Sequence, residues 1–71
     1  MDRADTTKFL IQAIEIFGNQ RKLAAAMGVV QSAISQWLTN NRVPPIRAIM
    51  IERLTNGAVK REELRPDIFC D

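Results

Sequence analysis

The sequence has no histidine and a single cysteine, Cys70, in 71 residues. Those two shortages remove most of the side chains from which nucleophile–base pairs and zinc sites are assembled. Carboxylates do not cluster on any one face apart from Glu62 and Glu63, and no glycine-rich stretch forms a phosphate-cradling loop. No catalytic residue, no metal and no cofactor is therefore expected. A lone cysteine cannot close an intrachain disulfide, and no secretory segment precedes the first amphipathic stretch, so a reducing cytoplasm is the expected compartment. No apolar run reaches the ~20 residues that a membrane-spanning helix needs. Internal repeats, low-complexity stretches and strand-like alternation are absent as well.

Acidic residues are missing from the middle of the chain. Between Glu15 and Glu52 there is none, while Arg21, Lys22, Arg42 and Arg47 all fall in that interval. The carboxylates sit at the two ends, at Asp2, Asp5 and Glu15 and again at Glu52, Glu62, Glu63, Asp67 and Asp71. A net charge of +2 thus conceals a central segment of one sign, which suits an anionic partner such as nucleic acid; the alternative is a solvated surface that happens to lack acids. The length fits one domain, residues 1–71. A domain so small buries only about 60% of the surface its unfolded chain exposes, so association with a second copy would help it.

Helical periodicity runs through the chain. Phe9, Leu10, Ala13, Ile14 and Phe17 form one face of a first amphipathic helix, with Asp5 or Thr6 as its N-cap and Gly18 as its stop; Ile11 and Ile16 fall off that stripe. Asn19 is a suitable cap for a second helix, in which Leu23, Ala24 and Met27 turn inward, although Lys22 at the third helical position denies it a capping box. Gly28 allows a tight reversal through a positive backbone angle. A third helix then runs from about Gln31 to Asn40 with Ile34, Trp37 and Leu38 inward. Trp37 is read as core because it shares their spacing.

The outer face of that third helix carries Gln31, Ser32, Ser35, Gln36 and Thr39. A solvated helix face normally carries charged residues. This one has only hydroxyls and amides, which donate and accept together, as base edges in a major groove require; plain solvation is the other reading. After a polar turn at Asn40, Asn41 and Arg42, Val43 is extended by the proline that follows it, and Pro45 suits the first turn of a fourth helix. Ile46, Ile49, Met50 and Leu54 make its expected buried stripe, Asn56-Gly57 its stop. Ile51 lies to one side, where it could touch another subunit. The tail, residues 58–71, allows one helical turn at Arg61–Leu64, stopped by Pro66, then the apolar pair Ile68 and Phe69, which need somewhere to dock. Arg53, Arg61 and Arg65 lie near acids and are expected to pair locally. Cys70 reads as an incidental thiol.

The expected fold is all-α, a small compact bundle of four to five short helices around a helix-turn-helix at residues 20–40. That motif needs a small residue at the close helix contact, a permissive turn and apolar flanks. Counted from Gln20, these demands are met by Leu23, Ala24, Met27, Gly28, Val29, Ile34 and Trp37. With glutamine at its first position the stretch resembles the Cro and CI class of phage repressors. SQWL, VPP, IERLTNG and LRPDIF extend the likeness, from about Phe17 to Phe69, to the small Cro-like regulators grouped with YdaS.

That resemblance implies a bacterial, nucleoid-associated repressor that binds double-stranded DNA at a palindromic operator as a homodimer. It implies that Gln20 meets a backbone phosphate and that Gln31, Ser32 and Gln36 face base edges, with Ser35 close by. Arg21, Lys22, Asn40, Asn41, Arg42 and Arg47 are the further phosphate candidates, and Ile51, Ile68 and Phe69 the candidate dimer contacts. Val30 departs from the class, where Ser or Thr often caps the recognition helix. The likeness to YdaS also opens a second possibility, an antitoxin or toxin that acts through a protein partner.

Overall fold

The computed structural model describes residues 6–69, and among them the chain forms helices and turns without a strand. Asp5 and Cys70, singled out above, lie outside the described residues. The elements are α1 (Thr7–Phe17), α2 (Gln20–Met27), α3 (Gln31–Asn40), α4 (Pro45–Leu54), α5 (Arg61–Leu64) and α6 (Pro66–Phe69). Four helices of eight to eleven residues are thus followed by two single turns, one more element than the sequence leads one to expect. The difference lies at Pro66: α5 ends before it at Leu64, as expected, and the proline then opens a further turn, α6. A proline in the first turn of a helix forfeits no hydrogen bond.

Leu10 and Ala13 of α1, Leu23, Ala24 and Met27 of α2, and Ile34 of α3 enter one core. Phe9, Ile14, Phe17, Trp37 and Leu38 pack against its edge, so the tryptophan is a core residue as its spacing suggests. Ile11 and Ile16, off the α1 stripe, are exposed. α2 packs on α1, α3 and α4, which makes it the internal post against which α3 is held.

The turns are built by residues that tolerate them. Asn19 caps α2, its side-chain oxygen accepting from the Lys22 N–H at 2.8 Å. Gly28 takes the left-handed conformation, φ 73, and the Gly28 and Val29 N–H groups donate to the Ala25 and Ala24 carbonyls. Thr6 stands at the N-cap of α1 without capping it. Its N–H and hydroxyl both donate to Asn41 Oδ1, at 3.0 and 3.1 Å, across 35 positions of sequence.

α4 faces the other way from its expected stripe. Ala48 and Ile51 are fully buried, and Thr55, just beyond the helix, is buried with its hydroxyl donating to the Ile51 carbonyl at 2.8 Å. Ile46 is 72% exposed and Leu54 is exposed as well. Ile46, Ile49, Met50, Ile51 and Leu54 leave apolar side chains on every side of a ten-residue helix, so periodicity does not choose its inner face. Packing chooses it: small Ala48 admits a close approach, and buried Val43 anchors the entry. Ile51, read above as a side residue, is therefore core. Phe69, another expected dimer residue, is half-buried against the core of its own chain, and Ile68 is 46% exposed.

Candidate nucleic-acid interface

α3 divides cleanly. Ile34 is fully buried and Trp37 and Leu38 are half-buried, while Gln31, Ser32, Ser35, Gln36 and Thr39 are exposed. The outer face is the uncharged one, formed because inward positions recur at the helical period and short polar residues fill the rest. A ten-residue helix is about 15 Å long. A helix about 10–12 Å across with its side chains matches a major groove about 12 Å wide.

Val30 occupies the N-cap of α3 in an extended conformation and makes no side-chain cap. The first turn is closed by the backbone alone, Ala33 N–H to Val30 carbonyl at 3.0 Å. Helix N-termini left uncapped in this way suit anionic oxygens, since the first N–H groups have no partner within the helix.

α2 and α3 are tied on the outer side by a bond that the sequence does not advertise. Ser35 Oγ donates to Gln20 Oε1 at 3.0 Å. With its carbonyl oxygen occupied, Gln20 presents the donor end of its amide, the end a phosphate oxygen needs. The two residues expected to meet different parts of a duplex thus form one unit.

The cations of the acid-free interval lie on α2, on α4 and in the turn after α3. Arg21, Lys22 and Arg42 are exposed, and Arg47 is half-buried with its Nη1 3.8 Å from Met50 Sδ. Asn40 is exposed at the end of α3, whereas half-buried Asn41 closes the helix at φ 54 and uses its side-chain oxygen to hold Thr6. Two acids are paired: Glu52 with Arg61 at 2.5 Å and Asp67 with Arg65 at 2.8 Å, the local pairing expected of those two arginines. Hydrogen bonding from Arg65 holds the Asp67 carboxyl below the usual carboxylate range, with a smaller contribution from the charge of Arg42. Arg65 is 6% exposed and reaches further than its neighbour, for its Nη1 donates to the Val43 carbonyl at 2.9 Å, 22 positions away. No spacing in the sequence signals that bond.

Among the described residues no group of three or more His, Cys, Asp or Glu could hold a metal, and no helix is long and apolar enough to cross a membrane. Two packed helices joined through a left-handed glycine, with an uncharged polar face outward, define a helix-turn-helix protein of Cro-like architecture. The chain belongs to the YdaS family, described as bacterial toxin YdaS, which matches residues 10–71.

Its relatives are regulators. It is 43% identical over 58 residues to a candidate transcriptional regulator, YdaS of Escherichia coli strain K12, covering 80% of this chain and 59% of that protein. It is 40% identical over 50 residues to the regulatory protein Cro of Salmonella phage P22, covering 70% of this chain and 79% of that one. Among solved structures it resembles the Cro protein of the Xfaso 1 prophage element in Xylella fastidiosa strain Ann-1, with a TM-score of 0.83 and 48% identity over 96% of this chain and 100% of the other. The chain is Cro-like by kinship and by fold, and it spans about three fifths of the length of the YdaS relative it matches.

Proposed function

We propose that residues 1–71 act as one helix-turn-helix domain that binds double-stranded DNA in a sequence-specific way and represses transcription from a palindromic operator. The observation that carries this reading is the exposed face of Gln31, Ser32, Ser35 and Gln36 on α3, uncharged and flanked by Arg21, Lys22 and Arg42. Gln31 and Gln36 are the base readers, because a glutamine amide can pair bidentately with adenine. Gln20, Arg21, Lys22, Asn40, Asn41, Arg42 and Arg47 set the register on phosphates. A module of this size buries about 600–1,000 Å² on DNA, so two copies on half-sites about one helical turn apart supply affinity and selectivity together. Exposed Ile68, with exposed Ile46 and Leu54 of α4, offers apolar surface to the second copy.

Titration of DNA fragments from the protein's own locus against salt, with random duplex as control, tests this. One palindromic fragment is expected to bind far more tightly than the rest, with two chains bound and a slope of log affinity against log salt of about −0.9 per phosphate contact. Gln36→Ala costs about 1–3 kcal/mol on that fragment and relaxes its selectivity, whereas Arg42→Ala weakens all fragments alike and lowers the slope by about one. Equal weakening of every sequence by Gln36→Ala would remove the base-reading role.

A second reading, action through a protein partner, is favoured by the family's description as a toxin and by exposed Ile68 in the tail. Under it, Ile68→Asp abolishes a cellular phenotype and leaves DNA binding intact.

A further inference from the structure

The loop that leaves α3 is held from both ends of the chain. Asn41 Oδ1 accepts two hydrogen bonds from Thr6, and the Val43 carbonyl accepts one from Arg65. Between them lies Arg42, exposed, the first cation past the end of α3. Thr6, Arg42, Leu64, Arg65 and Asp67 line one small cavity of about 50 Å³ beside the loop, which brings the tail directly against the exit of α3. The Arg65 guanidinium is bound on its other edge by both carboxylate oxygens of Asp67, Nε to Oδ1 at 3.0 Å and Nη2 to Oδ2 at 2.8 Å.

We propose that Arg65 is a positioning residue for the DNA interface: it fixes the Val43 carbonyl, and with it the loop that presents Arg42 to phosphate, while Asp67 locks its guanidinium in place. The chemistry needs an arginine. A planar fork can satisfy a carboxylate along one edge and still direct another N–H at a carbonyl, which a lysine ammonium cannot do with the same geometry. Burial raises the stakes, since a guanidinium 6% exposed leaves its site or drags the loop with it when its partners go. The proposal rests on the DNA-binding reading above and adds to it a residue that touches no DNA.

Asp67 separates this role from simple electrostatics by sign. The carboxylate stands near Arg42, close enough for that charge to lower its pKa, so as a mere charge it repels phosphate, and Asp67→Ala would tighten DNA binding. As part of the clasp it holds Arg65, and Asp67→Ala weakens binding, lowers the salt slope by about one and moves in the same direction as Arg42→Ala. Arg42→Ala/Asp67→Ala is then no weaker than Arg42→Ala alone, because the two changes act through one contact.

In the free protein, hydrogen exchange of the Arg42 N–H, which bonds the Trp37 carbonyl at 3.0 Å, is expected to speed up in Asp67→Ala while that of the Gly28 N–H does not. Arg65→Lys, which keeps the charge and loses the fork, is expected to behave as Asp67→Ala does. Tighter or unchanged DNA binding with unchanged exchange at Arg42 overturns the proposal. Failure of the underlying reading shows itself earlier, as wild-type protein that binds operator and random duplex with equal weakness.

Discussion

Gly28 and Asn41 bracket α3 in the same left-handed conformation, at φ 73 and φ 54, and Asn56 repeats it at φ 57. A Cβ at Gly28 would meet nothing within 4 Å, so what this position asks for is backbone freedom alone. Gly28→Ala is expected to cost about 1–2 kcal/mol in urea unfolding, and Gly28→Asn clearly less, since asparagine tolerates this region through local hydrogen bonding. Equal costs for the two would mean that space, not conformation, selects glycine. Residues of this kind are legible in a sequence because few side chains accept a positive φ. The partners of Thr6 and Arg65 are not, since those bonds join positions 35 and 22 residues apart and depend on where the fold returns the chain. The Gln20–Ser35 bond is of the second kind too: both residues stand out in the motif, and only packing of α2 on α3 brings them together.

At the scale of the element, α1, α2 and α3 were readable and α4 was not. The first three carry apolar residues on one side and polar ones on the other, so the period alone gives their inner faces. α4 is apolar on all sides, and its rotation follows from neighbours that no local pattern records. The consequence is measurable in a pair of substitutions. Ile51→Ala, at a fully buried site, is expected to destabilise by about 2–5 kcal/mol, whereas Ile46→Ala, at a site 72% exposed, stays within about 0.5 kcal/mol. The reverse order in denaturant midpoints would restore the face that periodicity favours. The tail shows a similar limit: Pro66 reads as a stop and is one for α5, but it also starts α6, because Phe69 beyond it has somewhere to pack.

The whole molecule measures 33 × 24 × 18 Å and carries one α3, while successive major-groove faces of a duplex lie about 34–36 Å apart. Under the DNA-binding proposal one copy covers one half-site, and the second reader comes from a second copy. Charge follows the same division of labour, with acids kept to the ends of the chain and spent there on Arg61 and Arg65. The acid-free middle was plain from the sequence; which of its cations stay exposed, Arg21, Lys22 and Arg42, needed the structure. Among the described residues the surface around α3 holds no histidine or thiol, and its neighbouring carboxylate, Asp67, is held below the usual carboxylate range by hydrogen bonding from Arg65, so no described side chain there ordinarily titrates between about pH 5 and 9. Association with a duplex is accordingly expected to be blind to the buffer: calorimetric heats measured near neutrality in phosphate and in Tris, whose ionisation enthalpies differ widely, should coincide. A heat that tracks the buffer would reveal proton uptake on binding and place a titrating group at the contact.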